Sequence, residues 1–117
     1  MSDDDEITLK SNQPLSEQFR LLAKKWVKLD AAASLLEETK SAQLSSLIAK
    51  RIGENPELAH NAAERTVKAS QEWQDVVEAT VEARRKANLA KVAVEYIKMK
   101  DREQQSYEAT KRAEMRM

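Results

Sequence analysis

The sequence predicts an all-α protein: an antiparallel two-helix hairpin, a helical coiled coil, completed into a bundle by oligomerisation. Three observations carry that prediction. One glycine, two prolines and 4% aromatic residues leave strong helix formers dominant in almost every window after residue 14. Apolar residues recur with heptad spacing along two long stretches. One strong turn signal, Arg51-Ile52-Gly53-Glu54-Asn55-Pro56, separates the two stretches. At 117 residues the chain has matter for one small core, and so for one domain.

Residues 1–13 are expected to form a disordered acidic tail, because Asp3, Asp4, Asp5 and Glu6 are followed by a polar run with too little apolar matter to pack. The hairpin domain then covers 14–117. Its first helix, about 15–52, begins after Pro14, which a first helical turn tolerates. Leu15, Phe19, Leu22, Trp26, Leu29, Ala33 and Leu36 form its seam in steps of four and three. Lys40 interrupts the pattern, and Leu44 and Leu47 resume it eleven residues beyond Ala33 and Leu36, a stutter that unwinds a supercoil without ending the helix. The turn is expected at 53–55, with Gly53 as left-handed C-cap, Asn55 as N-cap and Pro56 at the first helical position. The second helix, about 56–100, carries the seam Ala59, Ala62, Thr66, Ala69, Trp73, Val76, Thr80, Ala83, Ala87, Ala90, Val94 and Ile97. Residues after Lys100 either extend it or form a separate C-terminal segment, with Met115, Arg116 and Met117 frayed.

A short connection makes two long helices antiparallel neighbours, and a turn centred between Glu54 and Asn55 pairs residues whose numbers sum to about 109. Phe19 then faces Ala90, Trp26 faces Ala83 and Trp73 faces Leu36, large against small as an interdigitated core requires. Helix two has a second apolar stripe, Val67, Val77, Val81, Leu89, Val92, Tyr96 and Met99, that a two-helix hairpin leaves wet. Self-association through Val77, Val81, Val92 and Tyr96 would cover it. A third helix from Tyr107 folding back would cover it instead.

No catalytic residues, metal site or cofactor are expected. Cysteine is absent, one glycine cannot build a phosphate loop, and Ser45, Ser46 and Ser70 have no evident base. The single His60, with Glu57, Asn61 and Glu64, has only half the spacing a metal site needs. The start MSDDDEITLK is acidic where a signal peptide is basic, and no run reaches the ~20 apolar residues of a membrane span, so a cytoplasmic protein without membrane contact is expected.

Net charge is zero but segregated: −3 over residues 1–14, +3 over 15–52, −5 over 53–83 and +5 over 84–117. The basic cluster Arg84, Arg85, Lys86, Lys91 and Lys98 would meet Lys24 and Lys25 at the open end of the hairpin, since the expected register sets Arg84 near Lys25. Like charges brought together cost stability and invite an external polyanion, and single-stranded DNA bound through phosphates is the first expectation. An acidic protein partner is the alternative, and a solvated face, with Glu17, Glu82 and Glu95 partly neutralising the cluster, the third reading.

KKWVKLDAAASLLEETKSAQLSSLIAKRIG, a helix with an early Trp ending in a Gly turn, and EWQDVVEATVEARRKANLAKVAVEYIKMKDRE, a Trp-led helix turning basic, together resemble the small helical recombination mediator proteins of tailed phages. The resemblance covers roughly residues 20–105 and is architectural. It implies an oligomeric, phage-encoded accessory protein of DNA recombination and replication in a bacterial host. Such a protein would bind single-stranded DNA on the basic residues just named and contact a recombinase or a single-strand-binding protein. The competing functions are a small protein-binding inhibitor, with Asp3 to Glu6 imitating phosphates, and a scaffold whose role is its own assembly.

Overall fold

Pro14 has no N–H to leave unsatisfied, and its carbonyl accepts the N–H groups of Glu17 and Gln18, each at 3.0 Å. From there the computed structural model, which describes residues 14–116, runs through three helices: α1 (Leu15–Glu54), α2 (His60–Lys68) and α3 (Gln71–Met115). No strand occurs among the described residues. The expectations for the acidic stretch Asp3–Glu6 and for Met117 lie outside them.

α1 crosses the irregular spacing around Lys40 without a break. The turn after it differs from the expected one. Gly53 keeps right-handed helical backbone, and no described residue has positive φ. The chain instead reverses at Asn55-Pro56, where Leu58 N–H donates to the Asn55 carbonyl at 3.0 Å. Asn at the first and Pro at the second position of such a turn are both favoured, and Pro56 cannot continue α1. Asn-Pro therefore makes a β-turn here and does not open a helix.

The expected single helix from Pro56 is two. α2 begins at His60 behind an extended Ala59 that supplies no side-chain cap. It ends at Lys68, with Ala69 N–H on the Arg65 carbonyl at 3.2 Å and Ser70 N–H on the Val67 carbonyl at 2.9 Å. Ser70 then opens α3: its Oγ accepts the Trp73 N–H at 3.3 Å, the bond an N-cap serine makes. Packing explains the break. On one continuous helix, six residues would set Trp73 about 120° round from Val67, too far apart for both to point squarely into one core. With the break at Ala69–Ser70, Val67 and Trp73 join Ile48 and Ala63 in a buried cluster, flanked by Leu44, Leu47, Ile52, Leu58, Val76 and Val77.

The chain divides into two compact units, Asp30–Lys86 and the pair of segments Met1–Leu29 with Ala87–Met117. In the first, the Trp73 cluster forms the core and Lys40 Nζ lies 5.7 Å from the Trp73 ring centroid. The apparent fault in the α1 seam is thus a cation set against an aromatic face. The register differs accordingly, with Lys40 on Trp73 where Leu36 was expected. The separate α2 takes up chain that the expected register had counted as the beginning of the long second helix. Thr80, buried in the α3 seam, satisfies its hydroxyl on the Val76 carbonyl at 2.8 Å.

In the second unit, α3 buries Ala87, Ala90, Val94 and Ile97, a run of four-three steps as expected. Leu15, Leu22, Trp26 and Leu29 of α1 are half-buried, and Phe19 lies beneath Lys98 Nζ at 5.8 Å where Ala90 was expected. α3 continues unbroken to Met115, and every residue from Lys98 to Arg116 is exposed. The fold-back of a third helix from Tyr107 does not occur.

A Cβ at Gly53 would meet nothing within 4 Å. Gly53→Ala is therefore expected to raise the stability of the chain by ~0.5–1 kcal/mol, where a left-handed cap would have lost stability. Ser70→Ala should lower it by about 1 kcal/mol through the lost cap. Denaturant titration of both variants measures the two signs.

Candidate interaction surfaces

The sequence points to two surfaces, one basic and one apolar, both chiefly on α3. Arg84 is where the basic reading meets its main correction. Its expected neighbour was Lys25; its actual partners are Asp30, Ser34 and Glu37, which lie at steps of four and three along one stripe of α1. Nη1 donates to Asp30 Oδ1 at 2.7 Å, and Nη2 to Ser34 Oγ at 3.3 Å. Nε and Nη2 grip the two oxygens of Glu37 at 2.9 and 2.6 Å. This fork-to-carboxylate arrangement gives both direction and charge neutralisation. The Arg84 guanidinium holds the Glu37 carboxyl below its ordinary range, and Glu37 and then Asp30 raise the pKa of Arg84 further.

Arg85 is likewise occupied, donating through Nε at 2.8 Å and through Nη2 to the carboxylate of Glu82 one turn earlier, whose pKa it lowers. The two arginines expected to lead a phosphate-binding patch thus sit against three carboxylates of their own unit. Lys86, Lys91 and Lys24 are exposed, Lys25 is half-buried, and Lys98 rests on the Phe19 ring. Arg20, at the start of α1, pairs with Glu17 at 2.6 Å. The acceptors of Arg84 were visible in the sequence as Asp30, Ser34 and Glu37 flanking the Leu29–Ala33–Leu36 seam. The missed α2 break displaced the register and concealed the match.

The apolar surface is more nearly as expected. Val67 is buried and Val77 half-buried at the edge of the Trp73 cluster, so neither belongs to the outer stripe. Val81, Leu89, Val92, Tyr96 and Met99 do belong to it, each at least half exposed, with Val92 at 64% and Tyr96 at 53%. Leu89, Val92, Tyr96 and Met99 follow four-three spacing on the side of α3 opposite Ala90, Val94 and Ile97. Lys100 Nζ lies 5.5 Å from the centroid of the Tyr96 ring. Beyond this stripe the exposed end of α3 rests on same-helix polar pairs, such as Gln105 on Asp101 at 2.9 Å. A lone helical segment of that length is marginal in water.

A groove in the same unit is lined by Leu15, Ser16, Phe19, Ile97, Lys98 and Asp101. Among the described residues no group of three potential ligands is placed to hold a metal ion, and no helix is long and apolar enough to cross a membrane. No family model, curated protein or solved structure matches the chain.

The Arg84 cluster has a pH signature. Because the folded-state pKa of Glu37 is depressed below its ordinary 4.5, its contribution is present above that value and is lost as pH falls through the depressed one. Arg84→Ala should therefore lower the melting temperature at neutral pH and flatten its decline on acidification below about pH 5. Arg84→Lys should recover only part, since an ammonium cannot grip both oxygens of Glu37 together with Asp30. Melting curves of the three proteins across pH check this order.

Proposed function

We propose that the chain is a non-enzymatic assembly protein, in which α1 and α3 pair antiparallel and the outer apolar stripe of α3 joins one copy to another. The antiparallel pairing is supported within the unit Asp30–Lys86, where Trp73 meets Lys40 and Arg84 meets residues 30–37. Rising numbers on α3 there meet falling numbers on α1.

The observation that carries the assembly reading is the exposure of Leu89, Val92, Tyr96 and Met99 together on one face of a long helix. Scattered exposed apolar residues are ordinary; four in heptad register, opposite a buried seam, are the pattern of a helix awaiting a partner. The charged alternative is weaker than the sequence suggested, because Arg84 and Arg85 are neutralised internally.

A second reading, binding of single-stranded nucleic acid as the phage mediator resemblance implies, retains one supporting observation. Residues 14–29 and 87–116 hold eleven basic against six acidic side chains, a net of +5. Residues 1–13 carry −3 in the sequence, which brings the sum over residues 1–29 and 87–116 to +2. On this reading Lys24, Lys25 and Lys91 carry the phosphate contacts, each adding a slope of about −0.7 in log affinity against log salt.

For the assembly reading, Val92→Glu combined with Tyr96→Glu should retain helical circular dichroism and reduce the solution mass to the 13.3 kDa of one chain. A wild-type protein of that mass at every concentration would overturn it. Salt-dependent DNA binding abolished by replacing Lys24, Lys25 and Lys91 with Ala, in a protein that stays monomeric, would put the second reading in its place.

A further inference from the structure

We infer that α3 packs against α3 of a second copy in parallel and in register, with Glu95 of each copy set against Lys100 of the other. The inference rests on the assembly reading above and adds direction and register to it. Four-three spacing assigns Leu89 and Tyr96 to the a positions of a heptad and Val92 and Met99 to the d positions. Ala87 and Val94, at f, then point directly away, into the core shared with α1, as their burial requires. The flanks follow without further choice: Glu95 is at g and Lys100 at e.

In a parallel pair, a g residue lies beside the e residue five positions on in the facing helix, and such pairs set partner and orientation. Glu95 therefore meets Lys100 of the second copy, and symmetry makes the contact twice. Both side chains are exposed, and neither makes an ion pair with another described residue.

Antiparallel pairing centred on the same four residues would bring g positions face to face and set Glu95 against Glu95 of the second copy. The flanking charges favour the parallel arrangement. They also bound it, because Glu103 occupies the next a position and a layer of two carboxylates closes the apolar stripe after Met99. The contact is short, so association should be concentration-dependent and at the weak end of specific interfaces. Helix formation adds no cost where α3 is already formed and packed on α1.

Charge reversal in the full chain tests the register by sedimentation equilibrium. Glu95→Lys alone and Lys100→Glu alone should each weaken association roughly tenfold, and the double variant should restore it. As a second measurement, Val92→Cys in this cysteine-free chain should form a disulfide-linked dimer under mild oxidation, since parallel d residues face one another. Wild-type association that Val92→Glu with Tyr96→Glu abolishes, but that shows no rescue in the double charge reversal and no disulfide linkage of the Val92→Cys variant, would leave the assembly reading standing and overturn the parallel register. A monomeric wild type would overturn both.

Discussion

Trp73 has to share a core with Val67, and much of the fold of Asp30–Lys86 depends on that constraint. The two residues lie on different faces of any continuous helix, and the chain resolves the conflict by stopping α2 at Lys68 and restarting at Gln71 under a Ser70 cap. The break creates a three-helix cluster around Ile48, Ala63, Val67 and Trp73. It also decides what the first half of α3 can reach. The indole of Trp73 lies under Lys40, and three turns along α3 the Arg84 guanidinium falls on Asp30 and Glu37. Removal of the Trp73 side chain would leave a cavity of the kind that costs about 3–5 kcal/mol in a core.

Long periodic segments were legible in the sequence. From Trp73 through Ile97 the seam read from spacing alone is buried or half-buried at every position, and α1 begins where the four-three pattern begins. The outer stripe was legible from Val81 onward for the same reason. Short signals were harder to read. Asn55-Pro56 fits a helix N-terminus and a β-turn equally well, and the local residues do not choose between them. Ser70 looked like one small polar residue in a helical run, although Ser70-Gln71-Glu72 is also a cap followed by an acidic first turn. That single missed cap displaced the register, and the displaced register set Arg84 against lysines where the structure sets it against carboxylates. The expected Arg84–Lys25 juxtaposition rested on this register, whereas the Arg85–Glu82 pair is local to α3 and independent of it.

The proposed role follows from how the chain distributes its two kinds of sticky surface. Its best-placed arginines are engaged within their own units, where they organise side chains between helices or along one turn. Its apolar excess is on the outside of α3, on a helix whose last residues are exposed throughout. Guanidinium groups already held by carboxylates must break those contacts to take a phosphate. The exposed Leu89, Val92 and Met99 give up mainly water, Tyr96 also carries the Lys100 ammonium over its ring, and burial of apolar surface is favourable by roughly 25 cal/mol per Å². On the proposed assembly reading, the balance of these terms favours the apolar face as the partner-binding surface.

Hydrogen–deuterium exchange along α3, followed peptide by peptide at low and high protein concentration, is the sharpest check on that placement. Association through the outer stripe would protect backbone amides from Leu89 to Met99 progressively as concentration rises, while amides around Lys24 and Lys25 stay unchanged. Exchange beyond Ile97 that is rapid and identical at every concentration would mean that the stripe meets no second copy, and the assembly role would fall with it.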